Sequence, residues 1–268
     1  MKFVISGAHR LHYDVLDMVA PWHNRRPPIL FHHGVGSRME MWTDWIFALA
    51  DRYRIIRFDM LGFGRSQLPA PDFAWTMEGL EADILAVADA ADAPTFHFVG
   101  ESMGGTIGLH CALSHLERFA SITVSNGSHF GGSIEKVEAW RRQIDEGGVQ
   151  GWSDQFMEDR FYPDSLPSER REWFSRQQAG GNRYSILNAL AVLVGTDLRP
   201  RLSSLRKPAL LLHADASQFI SAAIMADLHA RLPDSELQIF SHAKHGLPFS
   251  HGSACAGVLR DFLERSST

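Results

Sequence analysis

The sequence predicts an α/β fold, in which a mostly parallel sheet carries helices on both of its faces. Short apolar segments alternate with longer amphipathic ones along the chain, which is typical of parallel strands joined by helical crossovers. One apolar segment also runs directly into a glycine-rich corner at residues 96–105. The length of 268 residues alone allows one large domain or two small ones. The sequence contains no internal repeat and no linker-like stretch.

The elements are predicted from the spacing of apolar residues. The segment up to Val19 is better explained as an antiparallel hairpin, which often forms the edge of such a sheet. Apolar residues at helical spacing predict helices over 77–91 and 255–263. Short apolar runs predict strands at 29–31, 54–58, 96–99, 122–124, 209–212 and 237–240.

One region, residues 128–200, breaks the alternation. It contains no convincing buried strand, but its apolar and aromatic residues, including Trp140, fit three or four short helices among many charges. We interpret 128–200 as a helical lid inserted into a core formed by residues 1–127 and 201–268. The alternative is a set of additional core helices, whose aromatic residues would pack and not contact a substrate.

Composition restricts the function classes. With 45% hydrophobic and 21% charged residues, the chain resembles an ordinary soluble enzyme. A net charge of -5 gives no reason to expect nucleic acid or an anionic membrane as a partner. We find no signal peptide, membrane-spanning run or metal-ligand cluster, so we expect a cytoplasmic protein without a cofactor. Cys111 and Cys255 fall on apolar helical stretches and are expected to be buried reduced thiols. The oligomeric state is not determined by the sequence.

The glycine-rich corner contains a Gly-x-Ser-x-Gly pattern centred on Ser102. A serine in a tight strand-to-helix turn projects its hydroxyl from the carboxyl end of the sheet. The next backbone N–H then points at the atom that the serine attacks. This nucleophile elbow predicts Ser102 as a catalytic nucleophile.

A serine hydroxyl needs a base near neutral pH, and that base is expected after the last strand. Three histidines compete there: His242, His245 and His251. His242 follows the strand 237–240 too closely, and His251 falls near the start of the last helix. We therefore favour His245, which lies in the loop between them and can lean towards Ser102.

The serine also needs donors for the developing oxyanion. Residues 31–36 close the third strand and expose backbone N–H groups towards the serine corner. The N–H groups of Val35 and Met103 are the natural oxyanion-hole pair. The two glycines here lack the third one that would open a helix in a dinucleotide-binding loop. A second glycine-rich turn runs from Asp59 to Ser66 and is expected to be structural. The side chains of Asp59 and Ser66 are expected to hydrogen-bond to the backbone of this turn.

Together these segments resemble the α/β-hydrolase superfamily along nearly the whole chain. The matching pieces are His33-Gly34, Trp42, the turn 59–66, the elbow 100–104, the lid and His245. The resemblance implies an eight-stranded, mostly parallel sheet and the partner order Ser, acid, His. Within the superfamily, the chain is most similar to lid-bearing esterases and lactonases of the 3-oxoadipate enol-lactonase type, which segments 125–127, 140–141 and 197–199 also support.

The chain departs from the family at the triad acid. Ser217 occupies the expected acid position in the loop after the strand 209–212, and Asn126 occupies the other site that the family uses. Asp215, two residues earlier in the same loop, is the nearest carboxylate, and its alternative role is to cap the loop. If no acid serves, Ser217 or Asn126 could hold the imidazole only through a neutral hydrogen bond. Such a site would require an activated substrate, for example an enol ester, a strained lactone or a thioester.

The resemblance implies a serine hydrolase that cleaves a small carboxylic ester or (enol-)lactone through an acyl-enzyme on Ser102. Asp215 would orient His245, and Trp140 and Arg141 would contact the substrate, with Arg141 pairing with a carboxylate. The competing interpretation of Arg141 is a solvated helix residue. Two alternatives stay open: hydrolysis of a carbon–carbon bond in a ring-cleavage diketone, and a degenerate ligand-binding receptor.

Overall fold

The computed structural model describes residues 1–134 and 136–266 of the chain. Within these ranges, eight strands form one sheet in the order β1-β2-β4-β3-β5-β6-β7-β8. The predicted eight-stranded, mostly parallel sheet is confirmed, because among the neighbouring strands of this described sheet only the pairs β1–β2 and β2–β4 are antiparallel. The strands are β1 (Lys2–Ser6), β2 (His9–Leu16), β3 (Ile29–His32), β4 (Ile55–Phe58), β5 (Phe96–Glu101), β6 (Phe119–Ser125), β7 (Ala209–Ala214) and β8 (Ser235–Phe240).

Helices connect the strands and cover both faces of the sheet, as the alternating sequence pattern predicts. The two helices predicted from apolar spacing are α2 and α9, whose observed bounds differ from the predicted ones by a few residues. The helices are α1 (Thr43–Leu49), α2 (Met77–Ala90), α3 (Met103–Ser114), α4 (Val137–Arg160), α5 (Ser168–Ala179), α6 (Arg183–Val194), α7 (Ala222–Arg231), α8 (Leu247–Ser250) and α9 (Gly252–Arg265).

The chain between β6 and β7 is helical, as predicted. It contains α4, α5 and α6, and α4 is interrupted at Gly148, where φ is 67°. The aromatic residues of α4 pack in the core, and some of them also line a cavity. Trp152 is fully buried and belongs to the same apolar cluster as residues of the sheet, whereas Trp140 and Phe156 also line a cavity. The interpretation of 128–200 as a separate lid stays a prediction.

Two apolar clusters hold the sheet between its helices. Successive side chains of a strand point to opposite faces, so Leu30 and Phe98 join one cluster while Phe31 and Val99 join the other. The central strands are buried on both faces, and this explains why they appear in the sequence as continuous apolar runs.

The carboxyl ends of four parallel strands meet at one edge of the sheet. The register pairs His32 of β3 with Gly100 of β5, Glu101 with Ser125 of β6, and Ser125 with Leu212 of β7. The loops that follow these strands therefore converge, and in open α/β sheets this edge is where ligands bind.

The turn from Asp59 to Ser66 has the structural role that the sequence predicts. The Asp59 carboxylate accepts the N–H groups of Met39 and Arg65, at 2.9 Å each, and a bond from the His12 ring at 2.8 Å. The Ser66 hydroxyl donates to the carbonyl of Asp59. Burial opposes ionisation of Asp59, but His33 and these donors hold its pKa below the usual value.

No helix within the described residues is long and apolar enough to cross a membrane. Cys111 and Cys255 are both buried and free, as expected from their places on apolar helices.

Candidate active site

Ser102 lies at the sharp turn between β5 and α3, with φ 53° and ψ −121°. A non-glycine residue rarely adopts positive φ, and such conformations cluster at functional sites. The two glycines of the pattern allow the turn to close. A Cβ added to Gly100 would lie 2.6 Å from the backbone of Gly104, and one added to Gly104 would lie 2.6 Å from the carbonyl oxygen of His32. The sequence pattern thus has the strained geometry of a nucleophile elbow.

The structure brings His245 against Ser102, although the two are 143 residues apart. His245 Nε2 lies 3.0 Å from Ser102 Oγ, and its ring is buried. The other two histidines that compete in the sequence lie elsewhere. His242 is exposed and stacks on the ring of Tyr162, and His251 bonds to the hydroxyl of Ser250.

The partner of the other imidazole nitrogen is a hydroxyl and not a carboxylate. Ser217 Oγ lies 3.1 Å from His245 Nδ1. The expectation that Asp215 orients His245 is therefore wrong. The Asp215 carboxylate accepts the backbone N–H groups of His242 and Ala243, at 3.0 and 3.1 Å, and so it caps the loop.

Asn126 also contacts His245, but through the backbone and not the ring. Its Nδ2 donates to the carbonyl of His245 at 2.9 Å, and its Oδ1 accepts the N–H of Ala214 at 3.0 Å. Asn126 therefore links the loop that contains His245 to the end of β7 through two hydrogen bonds. Of Ser217 and Asn126, the two neutral partners considered for the imidazole, only Ser217 is hydrogen-bonded to the ring of His245.

Burial lowers the pKa of His245 well below its usual value, and the charge of Arg160 and then His213 lower it further. The imidazole is therefore neutral near pH 7, the form in which Nε2 can accept a proton. Nδ1 then carries the hydrogen and donates it to Ser217. This tautomer is inferred from the hydrogen-bond partners.

The two N–H groups predicted as an oxyanion hole have no competing acceptor in the part of the chain that the structure describes. Within residues 1–134 and 136–266, no acceptor is hydrogen-bonded to the backbone N–H of Val35 or Met103. Met103 is the first residue of α3, where the helix dipole favours negative charge. Val35 lines the same cavity as Ser102 and His245.

The cavity above Ser102 is narrow and mainly apolar. Its volume is about 20 Å³, which is little more than a water molecule needs. A substrate therefore requires the wall side chains to move. The apolar walls include Ile134, Trp140, Phe156, Leu190, Leu193 and Phe219.

The two predicted substrate-binding residues differ in position. Trp140 lines the cavity. Arg141 does not, because its side chain is 42% exposed and faces Glu138, 3.8 Å away. The next residue of a helix points about 100° away from Trp140, so the expected contact of Arg141 with the substrate stays a prediction that this geometry does not support.

Sequence reasoning missed two buried charges beside the serine, Glu101 and Arg160. Arg160 lines the cavity, and its Nη1 lies 3.4 Å from Glu101 Oε1. A signal for Glu101 was available, because a carboxylate at the end of the apolar strand 96–101 must be buried against a partner. Nothing distinguished Arg160 from the many other charges between residues 128 and 200.

Comparison with known proteins agrees with this geometry. The family model described as alpha/beta hydrolase fold matches residues 27–252. A protein of Agrobacterium fabrum, named provisionally as the carbamate hydrolase RutD, is 27% identical over 254 residues and covers 88% of this chain and 93% of its own. The 3-oxoadipate enol-lactonase 2 of Acinetobacter baylyi is 28% identical over 250 residues, with coverage of 88% and 90%.

A solved structure extends the agreement to the fold. The enol-lactonase from Burkholderia xenovorans LB400 superposes with a TM-score of 0.89 over 98% of this chain and 100% of its own, at 22% identity. The predicted resemblance to enol-lactonases is confirmed by these matches. The chain is a hydrolase, and it belongs to the alpha/beta hydrolase fold family.

Proposed function

We propose that this protein is a serine hydrolase that cleaves a small carboxylic ester or lactone through an acyl-enzyme on Ser102. The observation that carries the proposal is the 3.0 Å contact between Ser102 Oγ and His245 Nε2 at a shared cavity. Ser102 attacks the carbonyl carbon while His245 takes the hydroxyl proton. The N–H groups of Val35 and Met103 bind the oxyanion. His245 then protonates the leaving oxygen and activates the water that releases the acid.

The substrate is inferred to be an activated acyl compound. The imidazole has a hydroxyl partner, Ser217, where a carboxylate would stabilise the imidazolium that forms during the reaction. In a serine protease, replacing the triad aspartate by asparagine lowers kcat by about 10⁴. An enol ester, an enol-lactone or a strained lactone has a good leaving group and tolerates this loss. The enol-lactonases among the relatives support that substrate class.

The walls of the cavity favour a small acyl group that is largely apolar. The aromatic and aliphatic side chains, among them Trp140, offer burial to carbon atoms. The carboxylate recognition expected of Arg141 has no support, because this side chain lies outside the cavity. A ring-cleavage diketone would use the same serine and histidine, and the relative turnover of a vinylogous diketone and an enol-lactone separates the two reactions.

A second candidate, a ligand-binding receptor with slow turnover, is favoured by one observation only. The hydroxyl of Ser217 at the acid position is typical of a weakened triad. The receptor predicts that Ser102→Ala keeps both ligand affinity and the biological response. The hydrolase predicts that affinity survives this substitution while product formation stops.

The test is intact-mass analysis after treatment with a fluorophosphonate probe. We expect one adduct on the wild type and none on Ser102→Ala or His245→Ala. His242→Ala is the matched control, because this exposed histidine belongs to the same loop and should leave labelling unchanged. Labelling that survives Ser102→Ala, or an unlabelled wild type, would contradict the proposal.

A further inference from the structure

Two opposite charges are buried beside the candidate active site. Glu101 is 0% exposed and Arg160 is 1% exposed, and the pair joins the end of β5 to the end of α4. Burial raises the pKa of the Glu101 carboxyl, while the charge of Arg160 and the hydrogen bond from the N–H of Gly34 act to lower it. A buried ion pair is weak support for stability, because well-packed apolar residues often serve as well or better. Its place beside the serine therefore calls for a functional explanation.

The pair holds the loop after β3 at two points. Glu101 Oε2 accepts the N–H of Gly34 at 2.8 Å, and Arg160 Nη2 donates to the carbonyl of Val35 at 3.2 Å. Between these points, the carbonyl of Gly34 bonds to His33 Nδ1 at 2.8 Å. Three groups of one short segment are thus fixed by buried side chains. The group left over is the N–H of Val35, for which the described residues supply no acceptor.

This segment needs such fixing because it lies outside regular structure. β3 ends at His32, and the loop contains Gly34 and Gly36, the latter with φ 75°. Glycines give a backbone many accessible conformations. If the peptide between Gly34 and Val35 rotated, a carbonyl oxygen would face the cavity in place of the N–H. An oxyanion would then meet a negative dipole.

The same pair also faces the imidazole. Glu101 Oε1 lies 3.8 Å from His245 Nε2. The Arg160 guanidinium disfavours the imidazolium form of His245. Removal of either partner alone leaves an uncompensated charge next to the base.

We propose that Glu101 and Arg160 are positioning residues, which hold the Val35 N–H towards the reacting carbonyl. The proposal rests on the proposed function of Ser102 and deepens it. It adds to the family pattern a contribution of α4 to the oxyanion hole, made through the backbone of the loop 33–36.

The test compares Glu101→Gln, Arg160→Met and the double variant, with p-nitrophenyl acetate as the activated ester. Removing one oxyanion donor typically lowers kcat by about 10² to 10³. For a displaced donor, we expect kcat to fall by about 10- to 100-fold in each single variant, with KM within about threefold. The double variant should be no worse than the worse single one, because the residues act as a unit. Arg171→Met is the matched control, since its ion pair with Glu158 is at the surface and kcat should not change.

Two further measurements separate positioning from packing. Affinity for a boronic acid, which forms a tetrahedral adduct on the serine, should fall in the single variants. Affinity for a planar amide analogue of the ester should stay within about threefold, because ground-state binding does not use the oxyanion hole. Hydrogen–deuterium exchange of the peptide that contains residues 33–37 should be faster, and this readout requires no turnover.

Some outcomes overturn the proposal and others overturn the function beneath it. Unchanged kcat and exchange in both single variants would refute positioning while the wild type still labels at Ser102. Equal losses for the boronic acid and the amide, in step with a lower Tm, would indicate packing alone. A wild type that neither turns over the ester nor labels would refute the proposed function, whatever the exchange data show.

Discussion

Ser217→Asp should convert the neutral partner of His245 into a triad acid. Ser217 Oγ already lies 3.1 Å from Nδ1, so a carboxylate at this position can accept the Nδ1 hydrogen after a small rotation. We expect it to stabilise the imidazolium that forms when Ser102 loses its proton. The pKa of His245, now held low by burial and Arg160, should rise.

The size of the effect follows from this geometry. Unit charges about 4 Å apart attract by roughly 4 kcal/mol at an effective dielectric constant of about 20. Burying the new carboxylate opposes this gain, and the N–H of Ile220, 3.4 Å from the present hydroxyl, offsets only part of that cost. We therefore expect a net gain of about 2 kcal/mol, or roughly 10- to 100-fold in kcat.

The assay is steady-state hydrolysis of p-nitrophenyl acetate and of a less activated alkyl ester. The gain should be larger for the alkyl ester, whose leaving group depends more on proton transfer. Ser217→Asn is the matched control, with the shape of aspartate and no charge. Ser217→Ala should lose about fivefold, the value of one neutral hydrogen bond of about 1 kcal/mol. If a folded Ser217→Asp variant is no faster than Ser217→Asn, Ser217 does not occupy the position of the triad acid.

Four other predictions have defined outcomes. Burial and Arg160 lower the pKa of His245, so the base stays neutral below pH 6.5. The acid limb of the kcat/KM profile should therefore lie below pH 6.5, and a limb above that pH would contradict the lowered pKa of His245. Burial also lowers the pKa of His32 to about 3 and of His97 to about 4, so below pH 6.5 the unfolded chain binds more protons than the folded one. The free energy of unfolding, measured with urea, should therefore decrease as the pH falls below 6.5, by up to about 1.4 kcal/mol per pH unit for each histidine. Asn126→Asp sets a carboxylate oxygen against the carbonyl of His245 and should cost about 1–3 kcal/mol of unfolding free energy, whereas equal stability would show that this bond is dispensable. Arg141→Ala should change kcat/KM by less than about twofold, since an exposed pair with Glu138 contributes little, and a large rise in KM for an anionic ester would reverse that conclusion.

The sequence by itself determined the elements and their order. Apolar runs specify buried strands because side-chain burial depends on local period, and the small residues around Ser102 specify a turn that larger ones could not close. His245 could be selected from three histidines because the strand before it and the helix after it leave one loop. These inferences need only local geometry and the parallel arrangement of the strands.

Tertiary structure alone decided which side chains meet. Asp215 and Ser217 belong to one loop, and only the path of the residues 242–245 shows that Asp215 caps that backbone while Ser217 reaches the imidazole. Arg160 is one charge among many between β6 and β7, and its contact with Glu101 depends on how α4 packs over the end of β5. Side-chain contacts between distant segments depend on distances of an ångström or two. Local periodicity carries no information at that scale.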